Sequence, residues 1–93
     1  MSNEKVIIAF LNKEKAHTPT RNINAGYTTY KGQTLNSTGN TLINYQTVIA
    51  YWKDTTLHIN TNKYSSTTSH IQSKLRRLAE ERNITIVEYS GEV

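Results

Sequence analysis

The run SSTTS, Ser65 to Ser69, sets five hydroxyl side chains in consecutive positions, just after Lys63 and just before a basic, apolar-periodic stretch. Hydroxyls in that place have two chemistries. A Ser or Thr ahead of the first periodic residue satisfies the unpaired N–H groups with which a helix begins, and Ser66, Thr67, Thr68 or Ser69 is placed to do so ahead of Ile71. The same N–H groups, with the hydroxyls and Lys63, can instead hold a phosphate or carboxylate from a partner. Lys63, Ser65, Ser66, Thr67, Thr68 and Ser69 are therefore a candidate anion site, although no Gly-rich phosphate loop accompanies them.

Other reactive side chains are few and scattered. The single aspartate, Asp54, falls in a turn-like "KDTT", where Asp is ordinary. His17, His58 and His70 lack the i, i+4 spacing or the neighbouring Cys or Asp of a metal site. A nucleophilic Ser or Thr would need a base and an orienting acid, and the sequence sets none beside another. Glu80, Glu81, Glu88 and Glu92 crowd the C-terminal third as solvated charge. No catalytic residue, metal or cofactor is expected, and the chain reads as a non-enzyme.

A second candidate lies upstream. Lys13, Lys15, Arg21 and Lys31 interleave with Tyr27 and Tyr30. Basic chains with aromatics contact phosphates and stack on bases, and loop tyrosines and arginines anchor protein interfaces. Of the net charge of +4, +3 lies in residues 1–39 and +1 in residues 40–93. A modest positive field attracts nucleic acid or an acidic protein surface. Tyr51 and Trp52 could form a further platform, but a tryptophan on a central strand belongs to the core.

These residues need elements to hold them. Val6, Ile7, Phe10 and Leu11 recur at helical spacing behind Ser2 and Asn3, which predicts an N-terminal helix of about three turns within residues 1–16, ended near Pro19. Residues 17–39, polar, basic and holding three of the four glycines, are expected to be a loop or an edge hairpin, and the composition of residues 18–40 favours order on a partner. "TLINYQTVIAYW" and "TTLHIN" read as a β-hairpin, "HIQSKLRRLAEERN" as an amphipathic helix stopped at Asn83, and "ITIVEY" as a last strand. Arg76 with Glu80 and Arg77 with Glu81 stand four apart on that helix. The fold class expected is α+β: a small, mostly antiparallel sheet with the N-terminal helix and the second helix on one face, in the order helix, loop, strand, strand, helix, strand.

Length and composition set the bounds. The 93 residues make one domain, and a chain so short buries roughly 60–65% of its unfolded surface. A homodimer would add to that. Cysteine is absent, so neither disulfides nor thiolate metal sites are available. The longest apolar run, Val6 to Leu11, is too short for a membrane span. A cytoplasmic protein with no membrane partner is expected.

The stretch Gly39 to Arg77 resembles a family of small uncharacterised bacteriophage and prophage proteins that share a "GN-L-NY-T-IA" strand, a second strand ending "N-TKYS-TTS" and a helix starting "K-Q--LR". Asn40, Leu42, Asn44, Tyr45, Ile49, Ala50, Asn60, Lys63, Tyr64, Ser65, Thr67, Thr68, Ser69, Gln72, Leu75 and Arg76 fit that pattern. His70 and Ile71 depart from it, as does the lengthened "INAGYTTYKGQT". The resemblance brings no activity and no catalytic residues; together with the small size, the absence of a catalytic set and the polar, tyrosine-rich surface it leads to the expectation of a phage accessory protein that binds and inhibits a host protein or nucleoprotein complex, such as a CRISPR-type defence nuclease. On that reading Arg21, Tyr27 and Tyr30 are the expected anchors. The alternative is a direct nucleic-acid or nucleotide binder using segment 13–31 and the helix start at 65–69.

Overall fold

Ser2 begins the first helix: its hydroxyl accepts from the Lys5 N–H at 3.3 Å, and Glu4 in the first turn complements the helix dipole. The structure, a computed structural model, describes residues 2–90, without the side chain of Ala25. Helix α1 runs Asn3–Leu11 and buries Val6, Ile7, Ala9, Phe10 and Leu11. It is shorter than the three turns expected. Lys13 turns left-handed at φ 61°, and the Lys13 and Glu14 N–H groups close back on the carbonyls of Phe10 and Ala9. That is a Schellman ending with lysine where glycine is usual, so Pro19 plays no part in stopping the helix.

Among the described residues, eight strands follow the expected α+β plan with more order than the sequence declares: β1 Lys15–His17, β2 Arg21–Ala25, β3 Thr28–Gly32, β4 Leu35–Thr38, β5 Thr41–Asn44, β6 Thr47–Lys53, β7 Thr56–Asn60 and β8 Thr85–Tyr89. Six form one sheet in the order β1-β4-β5-β6-β7-β8, antiparallel except for the β7–β8 pair, which α2 (Ser66–Glu81) connects as a parallel crossover. Segment 17–39, expected as loop or edge hairpin, thus supplies the end of β1, all of β4, and a separate two-stranded hairpin, β2–β3. The stretch 41–52, expected as one strand, is broken at Tyr45–Gln46 by a two-residue turn in which Tyr45 has φ 57°. Opposite Leu42 and Ile43, the register shift leaves Ile49 as an extra residue, a bulge.

Alternation assigns the faces. Leu35, Ser37, Leu42, Ala50, Trp52, Leu57 and Ile59 point toward the helices and are buried. α1 packs on β1, β4 and β5, α2 on β7 and β8, and the helices touch each other. Phe10 and Trp52 lie with ring centroids 6.0 Å apart, and the indole N–H donates to the Phe10 carbonyl at 2.9 Å. Ser37 can sit on this apolar face because its hydroxyl donates to the Glu14 carbonyl at 2.8 Å and accepts from the Gly39 N–H at 3.2 Å. α2 ends as expected at Asn83, left-handed at φ 57°. Its outer ion pairs are a correction: Arg76 reaches Glu88 on β8 rather than Glu80, and among the described residues the only other pair is Lys74–Glu4, at 3.2 Å. No described helix is long and apolar enough to cross a membrane.

Candidate partner-binding surface

Two hydroxyls of the run, those of Ser65 and Thr68, are used internally. Ser65, one residue earlier than expected, is the N-cap of α2 and accepts from the Thr68 N–H at 3.2 Å. Thr68 is buried, and its hydroxyl donates to Asn44 Oδ1. The Asn44 amide in turn donates to the Thr34 carbonyl at 2.9 Å. A similar set lies two strands over, on β7. The Asn60 amide donates to the Val48 carbonyl and the Tyr64 hydroxyl, and Gln72 Nε2 donates to the carbonyls of Asn60 and Asn62 at 2.7 and 3.2 Å. Asn44, Asn60, Tyr64, Thr68 and Gln72 therefore fasten the start of α2 to the sheet, a structural role for five residues of the Gly39–Arg77 stretch. Ser66, Thr67 and Lys63 remain exposed, while Ser69 and Lys63 line a cleft of about 380 Å³ whose arginine, Arg76, is engaged by Glu88.

Segment 13–31 does not form one patch. The hairpin leaves the sheet after His17 and returns before Leu35, whereas Lys13 lies at the opposite end of β1, its carbonyl against Gly39. There the Lys13 ammonium sits 4.8 Å from the centre of the Trp52 ring and donates to the Asp54 carbonyl at 3.0 Å. Lys15 belongs to the sheet face turned away from the helices, since its neighbour Ala16 is the inward residue of β1. Arg21, Tyr27, Tyr30 and Lys31 all lie on the β2–β3 arm, Arg21 at its stem, Tyr27 at its tip and Lys31 on the face opposite Tyr30.

The arm is built by local pairing. Ala25 opposes Thr28 across a Gly26–Tyr27 tip in which Gly26 takes φ 68°, a conformation that glycine adopts without strain. Tyr27 is fully exposed at that tip. Tyr30 opposes the buried Ile23, and its ring lies so close over Gly32 that an added Cβ would approach it to 3.1 Å. At the stem, Arg21 Nε donates to Thr34 Oγ1 at 3.2 Å and Gln33 Nε2 to Thr20 Oγ1 at 2.8 Å. The arm stands beside the β5–β6 turn across a cleft lined by Arg21, Ile23, Tyr30 and Tyr45.

A second surface went unnoticed in the sequence. The face away from the helices carries Tyr51, His58 and Val87 in register across β6, β7 and β8. Tyr51 and His58 stack with centroids 4.8 Å apart and planes 7° from parallel, and Tyr89 tilts against Tyr51 at 5.6 Å. Burial, then the neighbouring Tyr51 and Tyr64 hydroxyls, raises the Tyr89 pKa above its ordinary value. Trp52 belongs to the core, so the platform imagined for Tyr51 and Trp52 is divided between two faces. Period-two alternation in "TVIAYW", "TTLHIN" and "TIVEY" was the signal that could have found it.

Asp54 occupies the β6–β7 turn with φ 58°, and Glu92 lies outside the described residues. Among the described residues, no three His, Cys, Asp or Glu side chains gather as a metal would require. Comparison with family models, curated proteins and solved structures returned no match for the chain.

Proposed function

We propose that this chain is a non-enzymatic accessory protein of the phage type, which binds and blocks a host protein by docking the β2–β3 arm on it. The observation that carries the reading is Tyr27, a large aromatic held fully exposed at the tip of a hairpin that belongs to no other sheet. An exposed apolar ring gains nothing in the free chain, and buried in a partner's pocket it supplies contact area at low entropic loss. Lys31, four residues along the same arm, and Arg21 at its stem give the arm positive charge, which suits an acidic surface. A defence nuclease complex is the partner class that small phage accessory proteins of this kind suggest.

The test is capture from a host lysate with the immobilised chain, run in parallel with Tyr27→Ser and with Tyr27→Ser/Lys31→Glu. Both positions are exposed, so the fold is expected to survive. A species retained by the wild type and lost from both variants supports the reading. Retention that ignores the arm substitutions, or no retention above background, refutes it.

A further inference from the structure

We propose that the uncovered face of the six-stranded sheet is a platform for single-stranded nucleic acid, on which Tyr51 and Tyr89 stack against bases and Lys15 and Lys53 meet phosphates. Charge is the first argument. The described carboxylates lie elsewhere: Glu4 in α1, Glu14 and Asp54 in turns, Glu80 and Glu81 in α2, and Glu88 on the helix side of β8, paired with Arg76. The open face instead carries Lys15, His17, Lys53 and His58 among threonines and asparagines. A strand of phosphates meets no like charge there.

Shape is the second argument. Tyr51 and Lys53 are two residues apart on β6, hence on the same face and about 7 Å apart. Lys15 and Lys53 stand at the same end of the sheet, three strand spacings across and two residues along, or about 16 Å apart. Successive bases can therefore lie on the aromatic cluster while the backbone passes the lysines. Rings on a sheet face reach only unpaired bases, because those of a duplex are already stacked. Val48 and Val87, each about two-fifths exposed, extend the apolar floor beside the rings.

The experiment is fluorescence anisotropy of labelled single-stranded DNA and RNA oligonucleotides, titrated with the full chain at low and near-physiological salt. The variants are Lys15→Glu/Lys53→Glu, Tyr51→Ala/Tyr89→Ala and Tyr27→Ser. Expected is micromolar or tighter binding that weakens with salt, at least tenfold weaker in the first two variants and unchanged in Tyr27→Ser. Each lost phosphate contact on a single strand removes about 0.7 from the salt slope, so the lysine double variant should flatten it by about 1.4. Circular dichroism checks that the tyrosine variant is folded, and the lysine variant, altered only at exposed positions, carries the test if it is not.

Absence of binding at low salt overturns the proposal, as does binding that both double variants retain. Sedimentation that finds a dimer, abolished by Val48→Glu/Val87→Glu, overturns it too, by giving the face to a second copy. Loss of oligonucleotide binding in Tyr27→Ser would move the site to the arm and overturn the assignment to the sheet. Because the arm and the face are probed by different substitutions, either reading can fail alone.

Discussion

Replacing Thr68 by valine removes one hydroxyl and keeps the side chain's shape, and its effect separates a structural hydroxyl from a ligand-binding one. Thr68 is 3% exposed and Asn44 1%. Without the threonine donor, Asn44 Oδ1 is left buried with no partner, which costs about 1–3 kcal/mol. For a domain of this size each kcal/mol lowers the melting temperature by about 4–8 °C. Asn44→Leu should cost a similar amount. It breaks the same bond and one to the Thr34 carbonyl, although that carbonyl keeps the Tyr45 N–H at 2.8 Å and the Thr68 hydroxyl keeps Ser65 Oγ at 3.2 Å. The double variant should lose less than the sum by about 1 kcal/mol or more, because the oxygen orphaned by Thr68→Val is gone. Urea unfolding followed by the fluorescence of Trp52, the only tryptophan, measures all three. Additive losses, or a Thr68→Val loss below about 0.5 kcal/mol, would refute the structural reading of this hydroxyl.

Further outcomes follow from single contacts. Gly39→Ala forces a side chain at φ +100° and 3.3 Å from the Lys13 carbonyl oxygen, and should lower stability in urea by about 1–3 kcal/mol. Tyr89 has its pKa raised in the folded chain, so the stability it contributes is whole below about pH 10 and is lost as the pH rises past that toward its higher folded value. Tyr89→Phe should remove that part of the alkaline decline in unfolding midpoints; an unchanged decline would contradict the assignment. The Arg76–Glu88 pair is partly exposed, so Glu88→Gln should cost less than about 1 kcal/mol, less still in high salt, by the same unfolding measurement.

The elements that the sequence made legible are those with local signals. α2 shows an apolar stripe at Ile71, Leu75 and Leu78 between hydroxyls and Asn83, and both ends form where such residues place them, with Ser65 rather than a later hydroxyl as the cap. β8 alternates plainly. What escaped was chain reversal without glycine: Lys13, Tyr45 and Asp54 all adopt positive φ, and only Asp54 belongs to a type that announces a turn. β1 and β4 escaped for another reason. Their burial depends on pairing with each other across the inserted arm, and short polar strands such as Lys15–His17 carry no pattern by themselves. At the candidate surfaces, residue type picked out Tyr27 and Tyr30, while the division of segment 13–31 between the arm, the sheet face and the Trp52 end depends on topology.

The arm is tested most directly by placing a photoreactive phenylalanine analogue at Tyr27 and, in a second chain, at the exposed Glu81 of α2, and irradiating each in host cells. Docking through the arm predicts one discrete adduct from position 27 and none from position 81. No adduct at 27, or the same adducts from both positions, would contradict it.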